Sequence, residues 1–227
     1  MKEPTQVLPP WMRAYRIVSS AFPPISVFED VLDPADLETA FLIESLTNDR
    51  LREEAGLLNH VAPEDRVCGP GASPLMAAFT HVGARSRFTD GQYGVYYCGN
   101  SLQTAIAETR YHRERFMRAT QEPSMELTLR TYVCKVVQPL DDIRQGFDEL
   151  YDPDPEAYAL PQRFAAERRK LRSWGLLYRS VRHADGECAA LFRPPAASLP
   201  VQGEHLRYVW DGQLQQITQV FTLKAIA

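Results

Sequence analysis

The sequence predicts an α+β chain built on a bent, largely antiparallel sheet with flanking helices. Three observations point there. Strand-like and helix-like segments follow one another without a regular βαβ rhythm. Met125 to Val137 alternates with period two, which puts Met125, Leu127, Leu129, Thr131, Val133 and Val137 on one face of a long half-buried strand. Near the end, Asp211-Gly212 is a hairpin signal between Leu206–Trp210 and Leu214–Leu223.

The elements can be justified in order. Trp11 to Ser20 reads as a strand, with Tyr15, Ile17 and Val18 around Arg16, and Pro23 and Pro24 end it. A helix starts at Asp33, with Pro34 at its first position and Leu37, Phe41, Ile43 and Leu46 on its apolar face. Asn48 and Asp49 break it, and a short charged helix runs to Gly56. Gly69-Pro70-Gly71 is a turn, and Ser73 is the expected cap of a third helix carrying Leu75, Met76 and Phe79. A basic loop, Gly83 to Gly91, leads into a strand from Tyr93 to Cys98. Asn100 and Ser101 are candidate caps for a helix from Leu102 to about Arg118.

After the alternating strand, Asp141 to Pro155 is acidic and turn-rich. Gln162 to Trp174 reads as helix, with Phe164, Leu171 and Trp174 on one side and Gly175 as the stop. Leu176–Arg182 and Cys188–Arg193 read as strands joined through Ala184-Asp185-Gly186. No repeat or linker divides the chain. The expected organisation is one domain over 1–227, with a helical insertion at about 25–80 and a C-terminal hairpin extension at about 204–224.

Composition narrows the function classes. The 227 residues are 44% hydrophobic and 24% charged, enough for one sizeable core. A net charge of −4, with no basic stripe and no carboxylate cluster for metal, argues against direct nucleic-acid binding or a nucleic-acid-cleaving toxin. No apolar run reaches the roughly 18 residues of a membrane span, and Met1 to Arg16 lacks the apolar core of a signal peptide, so a cytoplasmic location is expected. Cys68, Cys98, Cys134 and Cys188 fall in no metal-ligand spacing and are expected as free thiols. There is no Gly-x-Gly-x-x-Gly and no Walker loop, so any nucleotide site is neither Rossmann nor P-loop.

Three places carry polar residues that need a reason. In the Gly-bounded loop, Arg85 and Arg87 stand beside Phe88, and their planar forks suit phosphate or carboxylate oxygens. The ordinary alternative is a solvated loop paired with Asp90. Glu108 sits mid-helix among small residues, Ala105-Ile-Ala-Glu108, where a carboxylate is suited to charge work on a substrate. Surface pairing with Arg110–Arg115 is the ordinary alternative, and His112 lies one turn on. In Tyr178-Arg-Ser-Val-Arg182, alternation puts Tyr178, Ser180 and Arg182 on one face. With no nucleophile elbow, Ser180 is expected to hydrogen-bond a ligand rather than attack it.

Together, Tyr15-Arg16-Ile-Val, Ser86-Arg-Phe-Thr-Asp-Gly-Gln-Tyr-Gly-Val-Tyr-Tyr97, Ser101-Leu-Gln-Thr-Ala-Ile-Ala-Glu108, Tyr178-Arg-Ser-Val-Arg182 and Cys188-Ala-Ala-Leu-Phe-Arg-Pro194 closely resemble the RES-domain family, named for an Arg, a Glu and a Ser. The likeness runs from about Trp11 to Pro195 and is most specific between Ser86 and His112. It implies an ADP-ribosyltransferase-like RES fold and a toxin of a bacterial toxin–antitoxin system that consumes NAD+. The acceptor of the ADP-ribose would be inorganic phosphate as co-substrate, water, or a protein in a mono-ADP-ribosyltransferase. A cognate antitoxin, of the helix-turn-helix Xre type, would silence it by occluding the site. No metal is implied.

Carried over by position, the family's residues fall on Arg16, Arg87, Tyr97, Glu108 and Ser180, with Phe88 where many members have Trp. The expected roles are Glu108, Arg87 and Ser180 in catalysis, and Arg16, Arg87, Tyr97 and Ser180 in holding NAD+. A non-enzymatic nucleotide-binding module is the other class, but it would have no need of the Glu. This chain departs from compact members by helical sequence between Phe22 and Thr80 and by the hairpin after Pro195.

Overall fold

The computed structural model describes residues 2–20 and 58–224, with isolated positions 29, 33 and 39 between them. The helices expected from Asp33 to Gly56 lie outside the described residues. The described residues form one nine-stranded sheet, ordered β1-β5-β6-β7-β3-β2-β4-β8-β9. Its strands are β1 (Thr5–Val7), β2 (Ala14–Ser19), β3 (Tyr96–Gly99), β4 (Met125–Cys134), β5 (Leu140–Asp142), β6 (Gly175–Arg179), β7 (Glu187–Leu191), β8 (Val201–Asp211) and β9 (Gln216–Leu223). Only β5 and β6 run parallel; every other neighbouring pair is antiparallel. Among the described residues three helices flank the sheet: α1 (Ala72–Thr80), α2 (Leu102–Ala119) and α3 (Ala159–Lys170). The α+β, largely antiparallel architecture expected from the sequence is therefore present. Among the described residues no helix is long and apolar enough to cross a membrane.

Alternation along β6 and β7 shows how the sheet is covered. Leu177, Ala189 and Leu191 pack with Leu75, Met76 and Phe79 of α1 on one face. Leu176, Tyr178, Cys188 and Ala190 pack with Phe88, Phe147 and Phe164 of α3 on the other. A third cluster seats Met117 of α2 on Leu129, Leu206, Tyr208, Trp210 and Ile217. Glu114 ties the same helix to the hairpin by accepting the Ile217 amide at 2.9 Å.

Several local expectations are corrected. Strand β4 is half-buried only in its first part: from Leu129 to Tyr132 both faces are buried, and Val137 lies beyond the strand and is exposed. The reason is position, since β4 is an interior strand between β2 and β8. Ser73 does not cap α1. Gly71, in the left-handed region at φ 91°, starts the helix two residues earlier, and Ser73 is buried inside it. Ser101 does cap α2, accepting the Thr104 amide at 3.1 Å.

Helix α3 starts at Ala159 and stops at Lys170, so Leu171 is exposed and Trp174 packs beyond the helix under Arg193. Arg172, at φ 63°, makes the left-handed step that Gly175 was expected to make. Gly175 instead opens β6, where a Cβ would sit 2.3 Å from the Ala190 carbonyl oxygen. The final turn is longer than a two-residue hairpin: Asp211 pairs with Gln216, and the Asp211 carboxylate accepts the Gln213 and Leu214 amides. Strand β8 pairs with β4 over most of its length, and Tyr208 and Trp210 are core residues.

Away from the sheet centre, two buried ion pairs fasten the loops. Asp141, fully buried, accepts from Arg168 and from Ser173 Oγ. Asp65 accepts both ends of the Arg193 fork.

Candidate active site

A cleft of about 360 Å³ lies between α2 and the sheet, lined from β2 (Arg16, Ile17), β3 (Tyr97, Gly99), β7 (Cys188) and β6 (Tyr178). That volume lies in the range of small-ligand sites. The helix comes this close because Gly99 has no side chain: a Cβ there would meet the Ala105 nitrogen at 3.0 Å and Thr104 Cβ at 3.1 Å. The charged groups lining it are Arg16, Arg87, Arg113 and Arg182 against one carboxylate, Glu108.

Glu108 projects from the second turn of α2, and Ser180 donates to its Oε1 at 2.6 Å. The direction of that bond follows from its neighbours. Ser180 Oγ already accepts the Arg182 amide at 3.1 Å and the His183 amide at 2.9 Å, so its one hydrogen points at the carboxylate. Ser180 is thus not on a strand face, as alternation suggested. Strand β6 ends at Arg179, and Ser180 opens the turn to β7 by donating its amide to Gly186. The turn is pinned to the start of α2, where Thr104 Oγ1 contacts His183 Nδ1 at 3.0 Å and donates to Asn100 at 2.8 Å. Cys188 Sγ lies 3.9 Å from the same Glu108 oxygen. Burial, and then the Glu108 charge, push the Cys188 pKa well up, so it stands there as a neutral thiol.

The basic loop is not the solvated segment its composition allowed. Ser86 and Thr89 pair across it, and Gln162 of α3 donates to both their carbonyls at 2.8 and 3.1 Å. Phe88 is buried against Tyr178, with ring centroids 5.0 Å apart. Asp90 accepts its own neighbour, the Gln92 amide, rather than an arginine.

Arg87 is buried, and its Nη1 donates to the Leu150 and Asp152 carbonyls, both at 2.9 Å, with the guanidinium over the Tyr158 ring. One arm of the fork expected to grip phosphate, Nη1, is therefore committed to backbone. Tyr97 is likewise reassigned in part. Its hydroxyl pairs with Ser86 Oγ at 2.7 Å and accepts the Phe88 amide at 3.1 Å, so only its ring faces the cleft. Burial pushes its pKa up to about 12.

Arg16 differs. Its Nη1 donates to the Tyr97 carbonyl at 3.2 Å and its guanidinium lies over the Tyr96 ring, but its buried Nε has no hydrogen-bond partner among the described residues. Arg182 is held by the Pro153 carbonyl and the Tyr111 ring. His112 stands at the mouth of the cleft. Its pKa is pushed down to about 4 by the surrounding protein and then by Arg182 and neighbouring arginines, so its imidazole is neutral at pH 7.

The structure thus brings Arg16, Arg87, Tyr97 and Glu108 to one cleft, with Ser180 behind Glu108. Sequence reasoning missed Arg113 and Phe116 as liners. Their signal was helical spacing, since Glu108, His112 and Phe116 form one i,i+4 row and Ala105, Thr109 and Arg113 the next.

Comparisons with known proteins agree with the family resemblance. The family described as RES domain matches residues 63–211. The "Uncharacterized protein y4oC" of Sinorhizobium fredii (strain NBRC 101917 / NGR234) is 27% identical over 201 residues, covering 87% of this chain and 83% of that one. A chain from the crystal structure of the M.tuberculosis MbcT-MbcA toxin-antitoxin complex superposes with a TM-score of 0.42 at 10% identity, covering 92% of this chain and 90% of that one.

Proposed function

This chain belongs to the RES domain family, and from its site we propose that it is the toxin of a toxin–antitoxin pair that cleaves the nicotinamide–ribose bond of NAD+. The observation that carries this reading is the Glu108 carboxylate, aimed by Ser180 at 2.6 Å into a cleft whose other charged liners are arginines. A module that only bound nucleotide would gain nothing from a fixed anion beside its phosphates.

The chemistry asks for this pairing. Nicotinamide leaves as a neutral group from a cationic ring, so no general acid is needed. Positive charge builds on the ribose as the bond stretches, and a preorganised carboxylate stabilises that charge more in the transition state than in the ground state. Glu108 supplies it and orients the acceptor. Arg16, whose guanidinium lines the cleft, takes a phosphate oxygen by a charge-assisted bond. Tyr97 offers its ring to the nicotinamide. We take the acceptor to be phosphate or water; transfer to a protein would use the same cleft.

The test is NAD+ consumption by the purified protein, with and without phosphate and with added lysate. Glu108→Gln keeps the shape and removes the charge, and is expected to lower turnover by about 100-fold or more with the fold intact. Near-wild-type consumption by a folded Glu108→Gln protein refutes the assignment. ADP-ribose 1″-phosphate formed only with phosphate identifies phosphorolysis, and a labelled protein band identifies transfer. A cognate helix-turn-helix antitoxin that occludes the cleft completes the proposal. Co-expression with the neighbouring gene's product is expected to restore growth and NAD+ levels.

A further inference from the structure

The cleft does not stop at Glu108. It follows α2 for two more turns, through His112 to Phe116 and through Thr109 to Arg113. Eight residues of helix at about 1.5 Å each make roughly 12 Å of lined surface beyond the carboxylate.

The far end has an unusual composition. Arg113 is half-buried, yet among the described residues it has no hydrogen bond or carboxylate partner, whereas Arg110 and Arg118 on the same helix are both held by Glu114. Burial lowers the Arg113 pKa, as expected of a cation removed from water without a counter-charge. Close by is Tyr208, whose buried hydroxyl also lacks a partner. One turn on, Phe116 is 54% exposed at the rim of the cleft. A lone cation beside an open aromatic face is a combination suited to a phosphate followed by a base.

The arginines at the other end are already engaged. Arg87 holds the Leu150 and Asp152 carbonyls, and Arg182 holds the Pro153 carbonyl. Arg16 likewise gives its Nη1 to the Tyr97 carbonyl, so among the described residues Arg113, beyond Glu108 along α2, is the lining arginine with no acceptor. We propose that the ADP half of the dinucleotide lies along α2, with a phosphate on Arg113 and its adenine on Phe116, so that the nicotinamide points the opposite way, towards Tyr97 and Tyr178. This orientation rests on the NAD+-cleavage reading for its substrate, but the subsite itself is a binding site for ADP-ribose whether or not the bond is cut.

The experiment compares wild type, Arg113→Gln, Phe116→Ala and the exposed control Arg115→Ala. ADP-ribose binding is measured by calorimetry, and turnover is measured with NAD+ and with nicotinamide mononucleotide, which has no adenosine. Arg113→Gln is expected to weaken ADP-ribose binding about tenfold or more. Phe116→Ala is expected to raise KM for NAD+ several-fold, with kcat and nicotinamide mononucleotide turnover unchanged. Phe116 is at the surface, so its variant stays folded, and a thermal melt verifies both. NAD+ turnover with an unchanged KM in both variants overturns the orientation and leaves the reaction standing. ADP-ribose binding that is lost in Arg113→Gln, in a protein that never consumes NAD+, upholds the subsite and sinks the reaction. Wild type that neither binds ADP-ribose nor consumes NAD+ overturns both.

Discussion

Replacing Ser180 with alanine removes the hydroxyl that aims Glu108 and leaves it only the weak Cys188 thiol contact. The magnitude can be worked from the contacts. A hydroxyl-to-carboxylate bond of 2.6 Å is charge-assisted and contributes about 1.5–3 kcal/mol. If that energy fixes the carboxylate where ribose charge develops, losing it lowers kcat by roughly tenfold to a hundredfold. KM for NAD+ should barely move, because Ser180 stands behind Glu108 and does not line the cleft. The Arg182 and His183 amides also lose their acceptor, at about 0.5–1.5 kcal/mol each. That lowers the melting temperature by a few degrees without unfolding the chain. The assay is steady-state NAD+ consumption with a melt on the same samples. Ser180→Thr, which keeps the hydroxyl, should recover most of kcat. Ser180→Ala combined with Glu108→Gln should be no slower than Glu108→Gln alone, since one residue acts through the other. Wild-type kcat in Ser180→Ala, or a loss confined to KM, would refute the positioning role.

Other substitutions probe the frame around the site. Arg87→Lys withdraws the Nη1 that serves two carbonyls and the plane that stacks on Tyr158, so it should destabilise the protein by about 1–3 kcal/mol in a denaturant melt and lower activity with it. Asp141→Asn leaves Arg168 only the exposed Glu3 carboxylate as counter-charge, and should cost about 1–3 kcal/mol of unfolding free energy in a denaturant melt. His112 gives a pH signature. Its folded pKa of about 4 lies below its ordinary value of 6.5, so the unfolded chain binds the extra proton in that window. Stability should therefore fall as pH drops from about 6.5 towards 4, and His112→Gln should flatten that slope in melts taken across the range.

What was legible in the sequence was mostly local. Ser101 could be read as a cap because its partner, the Thr104 amide, is three residues away. The period-two pattern of β4 was readable for the same reason. Ser73 misled because Gly71, two residues earlier, took the left-handed turn that starts α1. Ser180 misled because alternation assumes a strand, and the chain turns there to let Ser180 collect two backbone amides. The commitment of Arg87 was not readable at all, since its acceptors lie 63 and 65 residues downstream. Family wording located Glu108 and Ser180 as separate signals, but their bond spans 72 residues and had no local trace. Arg113 was hidden differently: its helix is rich in arginine, and only packing distinguishes the unpaired one from those held by Glu114.

The span between Glu108 and Ser180 has a consequence for the order of synthesis. A ribosome delivers the carboxylate long before the hydroxyl that aims it, and β3 waits still longer for β7, whose residues Glu187–Leu191 lie beside it in the sheet. The cleft wall at Arg87 is equally late, because Gln162 must be made before the basic loop is held from below. An unfinished chain therefore carries Glu108 without its mounting, and on the reading proposed above NAD+ cleavage begins only after Ser180 and β7 have been made.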